Sequence, residues 1–371
     1  MISVIRRGVW LAALVTAGWQ AGTAVPVTAV PVSDFVWHLP AGSPIPRVPQ
    51  GNPMSVAKVD LGRRLFYDTR LSGNQTYACA SCHQQARAFT DGLDHAVGST
   101  GARHARSAMS LTNVAYNATF GWADDTIRSL EDQMAVPMFN EHPIELGMTG
   151  RDGAILARFD PPADRARFQA AFPETATPIS LGHIVKAIAS FERTLIAGNT
   201  ALDRYLYRDD RAALSPSAQR GMTLFFSTRL RCSECHAGFN LSGATTFEGG
   251  DAPDVVFHNV GLYNEDGRGA YPAIDQGLFA VSRRAQDMGR FRAPTLRNIA
   301  VTAPYMHDGS LPTLDAVLTH YSHAGVDGPL RSDRIKGFTL DDTERQDLVA
   351  FLNSLTDRTF LTNPDFGPPR N

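Results

Sequence analysis

Four cysteines in 371 residues are too few to staple a chain of this size, and its 43% hydrophobic content can bury a core without them, so a disulfide scaffold is excluded. Charge of one sign is lacking too. The 35 basic and 37 acidic side chains leave a formal charge of -2, without the excess that marks a nucleic-acid binder. Beyond the first two dozen residues no uninterrupted apolar run reaches the length of a bilayer span. Alternating strand patterns are sparse, while 31 glycines and 23 prolines punctuate the chain. What remains is a mainly α protein with long loops and little β structure.

The opening stretch, MISVIRRGVWLAALVTAGWQAGTA, places Arg6 and Arg7 before a short apolar run that ends in small residues. Residues 1–24 therefore read as a secretory signal peptide cleaved near Ala24. An uncleaved anchor is the alternative, although Thr16, Gly18 and Gln20 interrupt the run. Losing Arg6 and Arg7 takes the charge to -4 and leaves a mature chain with no membrane span and no affinity for nucleic acid. Of four tryptophans only Trp37 and Trp122 survive cleavage. Pro26, Pro31, Pro40, Pro44, Pro46, Pro49 and Pro53 then make residues 25–53 an extended arm, because proline fixes φ and lacks an amide donor.

An internal repeat organises the rest. Gly62, Leu65, Phe66, Thr69, Arg70 and Leu71 recur at the same spacing as Gly221, Leu224, Phe225, Thr228, Arg229 and Leu230, and each copy runs into a CxxCH. Duplication predicts two domains, 54–205 and 206–371, with the junction near residues 205–215. Ile184, Ile188, Phe191 and Leu195 follow Ser180 at helical spacing and are closed by Gly198. Leu348, Phe351, Leu352 and Leu355 form a second stripe.

All four cysteines lie in the two CxxCH runs, Cys79–Cys82–His83 and Cys232–Cys235–His236. This spacing attaches a c-type haem: two thioether bonds fix the porphyrin and the adjoining histidine reaches the iron. A four-cysteine zinc site prefers a shorter separation between its pairs, and thioredoxin-like motifs would leave the two histidines unexplained. Two covalently bound haems c are expected.

NPMSVAKVDLGRRLFYDTRLS, CASCHQQARAFTDG, SAMSLTNVAYN, LEDQMAVPMFNEHPIELG and FRAPTLRNIAVTAPYMHDGS occur in this order over roughly residues 50–358. With them the chain resembles the di-haem bacterial cytochrome c peroxidases and MauG, with the MbnH subgroup nearest. The resemblance implies two cytochrome-c-like domains in the periplasm, a peroxide-reacting N-terminal haem and an electron-exchanging C-terminal haem. It places Gln133, Pro137 and Glu145 on the distal side of the first haem, with Glu145 as acid/base. The extra Glu141 and His142 lengthen this interval by two residues and make Glu141 the rival. Ser99 stands where peroxidase members carry a histidine that blocks the first iron, so an open, five-coordinate haem is implied. His95 and His104 lie nearby but out of register, and read as polar surface residues.

At the second iron the ligand position falls on Tyr321, as in MauG, with Met288, Met306, His320 and His323 as rivals and a plain core tyrosine on the face of Leu314, Val317 and Leu318 as the bland alternative. Trp122 matches the tryptophan between the haems. The tryptophan that precedes the second motif in MauG is replaced by Leu230 and Arg231, leaving Tyr205 and Tyr207 as substitutes for the exit route. A calcium ion between the domains would use the carbonyls of Thr302 and Pro304, with Ser107 at the asparagine position. The function implied is oxidation of a partner protein by hydrogen peroxide, by resemblance at tryptophan. Reduction of peroxide with electrons from a small redox protein is the alternative, and a non-enzymatic di-haem electron carrier is the alternative of another class.

Overall fold

The computed structural model describes residues 34–370; the signal peptide read at 1–24 and the start of the arm lie outside them. The described part of the arm, residues 34–53, contains no helix or strand. The longer helices are α1 Val56–Phe66, α2 Leu130–Phe139, α3 Pro162–Ala171, α4 Leu181–Glu192, α5 Pro216–Phe225, α6 Leu314–Ser322 and α7 Asp342–Ser354. One sheet is present among the described residues, β1 Phe257–His258 against β2 Phe291–Arg292, antiparallel with Phe257 opposite Arg292. The fold is mainly helical with long connections, as the glycine and proline content requires.

Helix starts follow their caps. The hydroxyls of Ser55, Ser180 and Ser215 accept amide hydrogen bonds from Lys58, His183 and Ala218, and Asp341 pairs with Glu344 in a capping box. The end of α4 differs from expectation: it stops at Glu192 rather than running towards Gly198. Leu195 is fully buried but outside the helix, and its carbonyl accepts from the Asn113 amide at 2.9 Å, so a long-range hydrogen bond takes the place of another helical turn.

Two helix crossings carry the two main cores. In the first, α1 packs on α4, and Leu61, Leu65, Phe66, Met134, Met138, Ile184, Ile188 and Phe191 are buried together. In the second, α5 packs on α7, with Phe225, Leu318, Leu348, Phe351 and Leu352 in one cluster. Gly62 and Gly221 occupy equivalent places in these crossings. A Cβ on Gly62 would lie 1.8 Å from the Ala187 carbonyl oxygen, and one on Gly221 1.9 Å from that of Asp347, so only glycine lets the helices approach this closely. The short helix Arg358–Thr362 returns to the first core, where Phe360 packs edge-on to Phe89.

Candidate active site

Each CxxCH is held by a turn that presents its histidine in the same way. Cys79–Cys82 is a single helical turn, and His83 Nδ1 sits 2.8 Å from the Phe89 carbonyl; His236 Nδ1 sits 3.1 Å from that of Leu241. Phe89 and Leu241 both have positive φ, at 62° and 49°, which turns the chain back towards the imidazole. A carbonyl on Nδ1 fixes the proton there and leaves Nε2 to bind iron. Ser110 Oγ donates to the Ala88 carbonyl at 2.6 Å, and Thr295 Oγ1 donates to that of Asn240 at 2.6 Å, bracing both turns from matching positions. The four cysteines are free and half-buried. Burial pushes the Cys82 and Cys232 thiols up to about 12. No three His, Cys, Asp or Glu side chains gather in metal-binding geometry among the described residues.

A cavity of about 270 Å³ opens on Cys232, Cys235 and His236, with Tyr321 of α6 and Leu348 and Leu352 of α7 in its walls. Burial and the neighbouring Cys235 and Cys232 raise the Tyr321 phenol, and only a strong cation would hold it as phenolate there. Of its rivals, His320 Nε2 is 3.0 Å from the Val260 carbonyl, His323 Nδ1 is 2.8 Å from that of Thr319, and Met288 packs beside Tyr271 and Phe291. Met306 shares the cavity wall.

The same cavity reaches Trp122, whose Nε1 donates to the Ser107 carbonyl at 3.0 Å and whose own carbonyl accepts from the Arg292 amide at 2.8 Å. Arg292 is only 3% exposed, and its guanidinium meets the Gly121 carbonyl, Asn117 Oδ1 and Met109 Sδ at 3.3, 3.3 and 3.8 Å. No carboxylate among the described residues reaches it, and burial alone pulls it down to about 10. A buried cation without an anion is costly. Facing this cavity, Arg292 fits the propionate of a haem, and the residues present suit that group. Ser107, Thr302 and Pro304 also line the wall; the Ser107 and Thr302 hydroxyls point to the carbonyls of His307 and Ile299 at 3.3 and 3.0 Å.

On the other side of the first motif, Gln133 and Pro137 lie on α2, and the following loop folds back so that the Leu146 amide donates to the Pro137 carbonyl at 2.9 Å. Glu141 is exposed, whereas Glu145 is partly buried and burial raises its carboxyl to about 7. The two rivals differ in exposure, and a carboxyl raised by burial is of the kind that serves as a general acid or base. Ser99 is docked on this segment, its amide donating to the Glu145 carbonyl at 2.8 Å. A Cβ on Gly98 would be 1.8 Å from the Ile144 carbonyl oxygen, so the Ser99 loop lies directly on the segment that carries Glu145. His104, read as a surface residue, comes with that loop: its Nε2 is 3.8 Å from Glu145 Oε1. Neither Tyr205, under the Arg211 guanidinium, nor exposed Tyr207, whose ring covers Gly42, lines the cavity. Sequence reasoning missed His104, Arg292 and the matched pair Ser110 and Thr295. Only the pair had a local signal, because SLTNVA at 110–115 and TLRNIA at 295–300 extend the repeat.

Comparison with known proteins gives the family. The model of the di-haem cytochrome c peroxidase family matches residues 56–211, and a RoxA-like cytochrome c model matches residues 290–324. The methylamine utilization protein MauG of Methylorubrum extorquens is 34% identical over 311 residues, 83% of this chain and 80% of that protein. Cytochrome c551 peroxidase of Pseudomonas aeruginosa is 30% identical over 312 residues, covering 83% and 81%. A crystal structure of a MauG-like protein associated with microbial copper homeostasis is 44% identical, with a TM-score of 0.88 over 90% of this chain and 99% of that one. With paired CxxCH turns on duplicated helix crossings and these relatives, the chain belongs to the di-haem cytochrome c peroxidase and MauG family of peroxide-using, haem-containing oxidoreductases.

Proposed function

We propose that this protein works in the periplasm, after export by its cleaved leader, as a di-haem oxidase that uses hydrogen peroxide to oxidise a partner protein at tryptophan. The observation that carries this reading is Tyr321 in the wall of the cavity that holds Cys232, Cys235 and His236. A tyrosine ligand favours oxidised iron, whereas a methionine would favour the reduced state that a plain peroxidase draws on. Ser99 in place of a blocking histidine supports a first site open to peroxide without prior reduction.

Cys79, Cys82 and His83 would hold one haem and Cys232, Cys235 and His236 the other, each by two thioethers and an imidazole. The haems supply the redox capacity and the Lewis-acid iron on which peroxide is activated. Glu145 would accept and return a proton on bound peroxide, Gln133 would orient the peroxide and Pro137 would keep the site narrow. Trp122, fixed by its hydrogen bond to Ser107, would couple the two sites, and Arg292 would neutralise a haem carboxylate. Residues 54–205 would form the peroxide-reacting domain and 206–371 the electron-exchanging one. Calcium at the Thr302 and Pro304 carbonyls would tie the two together, hard oxygen donors being its preferred ligands. The copper-homeostasis association of the 44% identical protein supports a partner from that setting.

Leu230 and Arg231, in place of the tryptophan before the second motif, favour the alternative of peroxide reduction with electrons from a small redox protein. Adding peroxide to the diferric protein together with the product of a neighbouring gene separates the readings. Partner oxidation gives a mass change on the partner at tryptophan. Fast peroxide turnover with reduced cytochrome and an unchanged partner mass establishes the peroxidase instead, and a first haem that stays six-coordinate and ignores peroxide establishes the electron carrier.

A further inference from the structure

Converting hydrogen peroxide to two waters consumes two electrons, taken from the partner, and two protons. Glu145 as a shuttle moves a proton the peroxide already carries, so the two consumed protons need a route from solvent. The side chains nearest Glu145 narrow the choice. Glu141 and His142 on its own loop are exposed, and Arg103 is paired with Asp94 at 2.9 Å. The Cys79 and Cys82 thiols also feel Glu145 but are the thioether positions, which leaves His104, Nε2 to Oε1 3.8 Å, as the neighbour that can carry a proton. The backbone holds it there: the His104 amide donates to the Ala96 carbonyl at 2.8 Å, and the same loop is pinned to Glu145 through Ser99.

We infer that His104 is the proton donor that recharges Glu145, passing protons from solvent to the distal carboxylate in each turnover. In the step, the imidazolium gives its proton to the carboxylate, leaving a neutral imidazole and a carboxylic acid, and solvent then reprotonates His104. The two groups are matched for this. Burial raises Glu145 to about 7 and lowers His104, while the carboxylate of Asp91, 7% exposed with an unpartnered Oδ2, opposes the fall in His104. Burial thus makes a protonated His104 the stronger acid of the two, so its proton passes to the Glu145 carboxylate downhill.

The inference rests on the proposed role of Glu145, and its test separates the two. Hydrogen cyanide binds ferric haem as the anion, so its proton must leave through Glu145 and along the same relay in reverse to His104 and solvent, and its association rate reports that route without turnover. Stopped-flow cyanide binding to the diferric protein across pH 5–9 is compared for wild type, His104→Ala, His104→Gln and Glu145→Gln, with haem content and far-UV circular dichroism confirming intact folding. Expected is a rate reduced roughly 10-fold in both His104 variants, with the limb near neutrality lost from the pH profile. A glutamine that restores the wild-type profile assigns His104 a merely structural hydrogen bond and overturns the relay. So do rates that depend on Glu145 but not on His104, which leave the proposed function standing. A first haem that is low-spin in wild type and high-spin in His104→Ala makes His104 an iron ligand, and overturns both the relay and the open site.

Discussion

The halves of the molecule match closely as far as the proximal histidines. Asn113 and Asn298 both adopt left-handed backbone, at φ 58° and 61°, and both amides donate at 2.9 Å, to Leu195 and Leu355 respectively. Their side chains then accept from the Ala197 and Asp357 amides at 2.6 and 2.7 Å. Beyond this shared frame the halves diverge. The first has the half-buried Glu145 with His104 beside it; the second has Tyr321 beside Leu348 and Leu352. Counting back from the matched leucines, Glu192 stands in the first half where Leu352 stands in the second. The common frame presents both CxxCH turns alike, and the proposed division of labour between them rests on the positions where the copies disagree.

The sharpest way to break the comparison is at those positions. Glu145→Gln removes the acid/base from one half only, and the rate of the first peroxide-driven spectral change should fall about 10²- to 10⁴-fold, with the second haem's spectrum unchanged. An equal loss with Glu141→Gln would move the role to the exposed neighbour. Tyr321→Met should act on the other half, raising the second haem's midpoint potential by on the order of 0.1 V while leaving peroxide binding at the first intact. A potential that does not move in redox titration would return Tyr321 to the status of a core tyrosine.

The shared frame was the part most legible in the sequence, because a repeat with CxxCH is local: Gly62 and Gly221, the Ser180 cap and the stripe from Leu348 to Leu355 can all be read from spacing. The differences were harder to read because they are non-local. His104 looks like a loop histidine until the backbone of Ser99 docks on Glu145, and Arg292 looks like any arginine until burial leaves it without a carboxylate. The end of α4 was illegible for the same reason: nothing near Leu195 announces that Asn113, some 80 residues earlier, will take its carbonyl.

If the helix crossings are equivalent, Gly62→Ala and Gly221→Ala should be comparably harmful. Each new methyl meets a backbone carbonyl oxygen rather than a flexible side chain, so helices must separate, and a loss of about 3 kcal/mol is expected for either in urea denaturation. A mild effect at Gly221 alone would mean that the second crossing is looser than the first.

The smallest effect concerns the mismatch of Glu192 with Leu352. Glu192 is 4% exposed, its Oε2 lacks a hydrogen-bond partner, and burial raises its carboxyl to about 8 despite Arg193, which is held by Glu131 at 2.5 Å. An unfolded glutamate loses its proton near 4.5, so between about pH 4.5 and 8 the folded state binds more protons than the unfolded one. Stability therefore falls as pH rises through this window, with a slope approaching about 1.4 kcal/mol per unit, and levels off above it. Glutamine has no proton to lose, so Glu192→Gln should flatten the dependence measured from urea midpoints at pH 5.5, 7 and 8.5, apart from the smaller contribution of Glu145 in the same direction. Leu352→Glu would be expected to impose a similar slope on the second half. An unaltered slope in Glu192→Gln would show that this carboxyl is ionised in the folded protein, with Arg193 shared between it and Glu131.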